Sequence, residues 1–117
     1  MKKIICFDLD NVICKTKNKS YKNSVKIKKS VDLVNSLYLK NYYIKIFTAR
    51  GMGKYKGDKK KIKEKYYELT VSQLIKWKVF YHELIFYKPS YDLFIDDKAL
   101  GFKKNWQDNF DIRLKKI

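Results

Sequence analysis

The sequence predicts an α/β fold: a Rossmann-like three-layer sandwich around a mostly parallel central sheet. Three observations predict it. Apolar runs of strand length alternate with stretches of helical periodicity. Each strand-like run ends on polar or charged residues, the pattern expected where the carboxyl edge of a sheet meets a ligand. A hydrophobic fraction of 45% with 16% aromatic residues is enough for a packed core, and 117 residues hold only one. A single domain over residues 1–117 follows. One Pro and four Gly leave no low-complexity linker.

The elements read as follows. "KIICFDL", residues 3–9, is a near-continuous apolar run that suits a strand buried on both faces, with Cys6 as a small core residue. Residues 11–24 are polar and irregular and read as a loop. Val25, Ile27, Val31, Val34, Leu37 and Tyr38 recur at helical spacing to about residue 40. Ser24 is a candidate N-cap, and Asn41 can end that helix. "YYIKIF", 42–47, is a second strand, running into a loop that holds three of the four glycines. A longer helix spans about 59–78, with Asp58 as its cap. Its apolar rows are Ile62, Tyr66 and Leu69, and beside them Tyr67, Val71, Leu74 and Trp77. "ELIFY", 83–87, is a third strand stopped by Pro89, and "YDLFI", 91–95, is a fourth. The tail after Lys98 carries Leu100, Phe102, Trp106 and Phe110 and reads as a short helix or irregular cover over the sheet.

Strand one ends in Asp8 and Asp10, strand two in Thr48 and Arg50, strand three in Lys88, strand four in Asp96 and Asp97. One polar strand end is unremarkable; four at the same edge point to a site. Four carboxylates in one cleft repel one another unless a cation sits among them. Oxygen ligands without His or Cys favour Mg²⁺, making Asp8, Asp10, Asp96 and Asp97 the candidate metal ligands. Lys88, Arg50 and Thr48 add positive charge and a hydroxyl, which suits a phosphoryl group. No Ser/His/Asp set exists, because the only His, His82, precedes strand three and reads as a strand-start or surface residue. No Gly-rich loop with a Lys follows strand one, which excludes a P-loop. The remaining nucleophile is a carboxylate, which can accept a phosphoryl group as an aspartyl-phosphate.

These residues resemble the four motifs of the haloacid dehalogenase (HAD) superfamily phosphatases. "FDLDNV" resembles the first motif, "IFTAR" the second, "YKPS" the third and "LFIDDKAL" the fourth, in order and over most of the chain. The resemblance implies a Mg²⁺-dependent phosphomonoester hydrolase acting through an aspartyl-phosphate. It implies Asp8 as nucleophile and metal ligand. Asp10 would be the acid and then the base, with its carbonyl on the metal. Thr48 and Lys88 would hold the transferring group, and Asp96 and Asp97 would complete the metal site. The family usually has Gly and Thr after the second Asp; here Asn11 and Val12 stand there, and Asn tolerates the left-handed turn.

Neither gap between motifs is long enough for the family's cap domain, so a capless enzyme is expected. Such a site is reached by a large substrate or covered by a neighbouring copy in a homo-oligomer. "TARGMGKYKGDKKKI" and "YKPSYDLFIDDKAL" further resemble small HAD proteins of capsular or surface polysaccharide biosynthesis, which implies a sugar phosphate substrate. Asn11, Arg50 and Lys54 are candidate substrate contacts. For Arg50, Lys54, Tyr55 and Lys56 the competing reading is a solvated basic loop.

The formal net charge is +16, nearly all from lysine scattered end to end. Coding bias toward Lys, Asn, Ile and Tyr together accounts for most of it, although a positive field still draws in anions. It leaves open an alternative substrate class, a nucleotide or a nucleic-acid end. A third reading is a non-catalytic HAD-like module that binds phosphate or a protein. Two cysteines without metal spacing fit a reduced cytoplasmic chain. The early carboxylates break any signal-peptide pattern, and no apolar stretch is long enough to span a bilayer, so no membrane partner is expected.

Overall fold

The computed structural model describes residues 2–117. In chain order its elements are β1 (Ile4–Asp8), β2 (Cys14–Lys15), β3 (Val25–Lys26), α1 (Lys28–Leu39), β4 (Tyr43–Phe47), α2 (Lys59–Lys76), β5 (Glu83–Ile85) and α3 (Phe110–Leu114). Single 3-10 turns lie at Tyr21–Asn23 and Trp106–Asn109. β1, β4 and β5 form a parallel sheet in the order β1-β4-β5, so the α/β, Rossmann-like class stands. The register pairs Asp8 with Phe47 and Phe47 with Ile85, which levels the carboxyl ends of all three strands. The loops that leave them therefore meet at one edge.

Side chains alternate across a strand, and the two faces differ sharply. Phe7, Ile44 and Ile46 point one way and are buried with Val31, Val34 and Leu37 of α1. Trp106 and Phe110 pack on Phe7 at 6.3 and 6.4 Å between ring centres, so the tail covers the sheet as expected. Ile4 and Cys6 point the other way and are exposed. Cys6 is thus not a core residue: β1 lies at the edge of the sheet and only one of its faces is covered. Cys14 is the buried cysteine.

α1 begins at Lys28, later than the periodicity suggests. Val25 and Lys26 are taken by the short antiparallel pairing of β3 with β2. Ser24 does not cap the helix; its hydroxyl faces Thr16 at 2.6 Å. Asn41 does end it, at φ 71°. Asp58 caps α2 by accepting from the Lys61 amide at 3.3 Å. The buried stripe of α2 runs through Ile62, Thr70, Gln73 and Leu74 to Trp77, while Tyr67 stays exposed. Two polar residues thus sit on the inner face, and the next section gives them their partner.

The expected fourth strand does not form. Residues 91–95 adopt no strand, and Leu93 and Ile95 are 77% and 87% exposed. Tyr87 takes φ 75°, a strained value for a bulky residue, and Pro89 follows two residues later. Together they turn the chain away from the sheet after β5. Tyr91 and Phe94 then stack on each other at 4.9 Å and flank the Lys88 ammonium, each at 5.3 Å. His82 is structural: its Nδ1 accepts from the Ile44 amide at 3.0 Å, and its ring stacks on Tyr38 and Tyr43. Among the described residues no helix is long and apolar enough to cross a membrane.

Candidate active site

The three strand ends build one cleft. Asp8 is the last residue of β1 and its carboxylate is held at both oxygens. Oδ1 accepts from the Leu9 amide at 2.8 Å, and Oδ2 pairs with Lys88 Nζ at 3.2 Å. Burial pushes the Asp8 carboxyl above its usual range, more than Lys88 and the Leu9 amide pull it down. Burial also works against the Lys88 ammonium, but the Tyr91 side chain and the Asp8 carboxylate outweigh it and raise its pKa. Lys88 is only 8% exposed, so it is a buried, paired cation rather than a loose edge lysine.

The chain turns after Asp8 at Leu9, whose carbonyl accepts from the Ile13 amide at 2.9 Å. Asn11 adopts φ 68°, the left-handed turn that an Asn accommodates. This turn aims Asp10 into the same cleft as Asp8. Asp10 Oδ1 accepts from Thr16 Oγ1 at 2.6 Å and from Arg50 Nη2 at 3.0 Å; Oδ2 accepts from Arg50 Nε at 3.1 Å.

Thr48 follows β4 directly and is wholly buried. Its amide donates to Ile85, its carbonyl accepts from Lys88, and its hydroxyl accepts from the Arg50 amide at 3.1 Å. It ties the loop after β4 to the loop after β5. Gly51 follows at φ 82°, where a Cβ would come within 2.8 Å of the Tyr66 ring. Only glycine supplies both that angle and that approach.

A cavity of about 600 Å³ opens over these loops. Asp8, Asp10, Asn11, Arg50 and Lys54 all line it, with Tyr21 and Tyr66 as its aromatic wall, edge to face at 5.2 Å. The structure therefore brings Asp8, Asp10, Asn11, Arg50 and Lys54 together, with Lys88 joined through Asp8. It does not bring Asp96 and Asp97 to them. Those two lie exposed beyond the unformed strand, and Asp96 accepts only from the Lys98 amide. Among the described residues no three His, Cys, Asp or Glu side chains lie close enough together to hold a metal. The acceptors that face the cavity are still oxygens alone, and Asp8 and Asp10 are two carboxylates, which is the set Mg²⁺ needs when a substrate phosphate and waters complete its shell. That donor chemistry is compatible with Mg²⁺, for which the family resemblance implies the Asp8 carboxylate and the Asp10 carbonyl as the holding atoms.

The sequence did not point to Thr16, Tyr21, Ser24, Thr70 or Gln73. The last two carried a readable signal: polar residues spaced i, i+3 within the apolar stripe of a helix want a buried partner. The first three lie in an irregular loop with no such signal.

No family model matches the sequence, and no curated protein matches it. Solved structures do. An MCSG target from Vibrio cholerae superposes at a TM-score of 0.83 and 24% identity, over 98% of this chain and 99% of that one. A chain of the Pnkp1/Rnl/Hen1 RNA repair complex gives 0.53 and 17%, over 99% of this chain and 32% of that one. D,D-heptose 1.7-bisphosphate phosphatase from B. bronchiseptica, complexed with magnesium and phosphate, gives 0.53 and 14%, over 98% of this chain and 64% of that one. The chain thus spans about a third and under two thirds of the last two. At these identities the likeness is one of fold, and it agrees with the HAD-like architecture that the four motifs imply.

Proposed function

We propose that this chain is a HAD-type phosphomonoester hydrolase that works through an aspartyl-phosphate on Asp8. The observation that carries this reading is the pair of carboxylates at the end of β1, each held by its own buried cation: Lys88 at 3.2 Å from Asp8, Arg50 at 3.0 Å from Asp10. A carboxylate fixed at both oxygens and facing a cavity is oriented for in-line attack. Asp8 forms the new O–P bond as the ester O–P bond breaks. Asp10 gives its proton to the departing oxygen, then takes one from the water that releases phosphate from Asp8. Lys88 balances charge on the transferring group. Thr48, buried behind the cleft, acts by holding Arg50 and Lys88 in register.

Mg²⁺, when bound, neutralises the phosphoryl oxygens. Asp8 and the Asp10 carbonyl would hold it, and Asp96 and Asp97 join the set if their segment closes toward β1. The cavity supports a small phosphorylated substrate, a sugar phosphate of capsule or surface polysaccharide synthesis: Asn11 and Lys54 offer polar contacts, and Tyr21 and Tyr66 an aromatic wall for a ring. The heptose bisphosphate phosphatase among the structural neighbours favours the same class. A second reading, a nucleotide or nucleic-acid-end phosphatase, is favoured by the +16 charge and by the neighbour from an RNA repair complex. The absence of a cap leaves room for a second copy to cover the cleft.

The test is phosphate release from a panel of phosphorylated sugars, nucleotides and 3′- or 5′-phosphorylated oligonucleotides. EDTA should abolish release and Mg²⁺ restore it. Asp97→Asn should raise the Mg²⁺ concentration needed; an unchanged requirement removes Asp97 from the metal site. Turnover confined to oligonucleotides, and falling steeply with salt, would establish the second reading in place of the first.

A further inference from the structure

Arg50 is the largest wholly buried side chain of the protein, at 1% exposure, and every arm of its guanidinium is engaged. Nε lies 3.1 Å from Asp10 Oδ2 and 3.3 Å from Oδ1, and Nη2 lies 3.0 Å from Oδ1. Nη1 turns the other way and donates to Thr70 Oγ1 at 3.0 Å and Gln73 Oε1 at 2.6 Å on α2. Gln73 is itself anchored, its Nε2 donating to the Tyr21 carbonyl at 2.6 Å. An arginine that bound substrate would keep donors free toward the cavity; this one has spent them on Asp10 and α2.

We propose that Arg50 is a positioning residue rather than a substrate contact: it transmits the rigidity of α2, through Thr70 and Gln73, to the carboxylate of Asp10. The inference rests on the phosphatase reading above, in which Asp10 moves the proton. A carboxylate on a two-residue turn can rotate about its side-chain bonds, and a planar fork bound at three distances removes that freedom. The same contacts distinguish its two oxygens. Oδ1 takes Thr16 as well as Arg50, whereas Oδ2 takes only Nε. Oδ2 is therefore the oxygen with lone pairs left for a leaving group or a water.

The prediction concerns proton delivery, so it is read from the leaving group. Two phosphomonoesters that the parent turns over are compared in single-turnover release of their alcohols, one a nitrophenol and one an alkyl alcohol. A nitrophenolate departs without a proton and an alkoxide does not. Arg50→Ala and Arg50→Lys should slow alkyl release about 100-fold, the scale of a misplacement of about 1 Å, while nitrophenol release and KM change little. Lys should fail to rescue because it lacks the fork. Should Arg50→Ala not fold, Thr70→Val removes one of the two Nη1 acceptors and leaves Asp10, Gln73 and its anchor on Tyr21 in place; the same alkyl-selective loss, smaller in size, is expected. Equal losses for both esters, or a raised KM with kcat intact, would overturn the positioning role and leave the phosphatase reading standing. A parent that turns over no phosphomonoester overturns both.

Discussion

Asp8 and Lys88 form the ion pair on which the proposed chemistry rests, and burial acts on both. Burial raises the Asp8 pKa, and the proposed reaction needs its ionised form. In the metal-free protein the Asp8 carboxyl should accordingly titrate above the usual aspartate range, read from its side-chain carbon by NMR; titration at or below that range would show that Lys88 and the Leu9 amide outweigh burial. The same shift has a consequence for stability. A carboxyl whose folded pKa is raised stabilises the fold below its unfolded pKa, and that contribution is lost as pH rises through the folded pKa. Tyr91 and Phe94 flank the Lys88 ammonium, so Lys88→Met removes the charge and sets an apolar tip against the same two rings. It should lower kcat by about 100-fold or more with little change in thermal unfolding; unfolding of this variant would make Lys88 structural. Asp8, Asp10, Asn11 and Lys88 were all legible in the sequence, because each ends a strand or follows the end of one. The burial of Arg50 was not: its partners come from residues 10, 70 and 73, and only the folded chain brings them together.

At the scale of elements, the loop from Thr48 to Asp58 is where geometry is tightest. Gly51→Ala would place a methyl 2.8 Å from Tyr66 at a positive φ. It should destabilise the protein by about 2–3 kcal/mol and shift Tyr66 from its contact with Tyr21. Denaturant unfolding with a tyrosine fluorescence readout measures both; an Ala variant as stable as the parent would mean the loop reorganises freely. The two long helices and the three paired strands were readable from period, with Asp58 and Asn41 at helix ends, but the start of α1 was not, because Val25 and Lys26 pair with β2 and Ser24 does not cap the helix. Two strand expectations failed for the same reason: periodicity reports what a segment can do, not what it lies beside. "YDLFI" has strand composition, yet the φ of Tyr87 and the turn at Pro89 steer it away from β1. With β1 left at the edge, Cys6 faces solvent.

For the whole molecule, the level strand ends are the central fact. A parallel register that pairs Asp8 with Phe47 and Phe47 with Ile85 delivers three loops to one edge, and Asp10, Arg50 and Lys88 ride on those loops. Most of the +16 charge comes from lysines scattered end to end, of which the cleft uses few. It raises anion arrival rates at low ionic strength and is screened beyond a Debye length of about 8 Å at physiological salt. Fold class and cleft were legible because they follow from alternating periods and polar strand ends. Substrate identity was not, since the cavity wall is made by Tyr21 and Tyr66 from segments that carry no motif.

The most direct test of the account is phosphate release by Asp8→Asn beside the parent on the same substrate, with circular dichroism and thermal unfolding of both. The account predicts no detectable turnover by the variant, an unchanged spectrum and an unfolding temperature at neutral pH no lower than the parent's. Phosphate release by a folded Asp8→Asn protein at the parent's rate would contradict it.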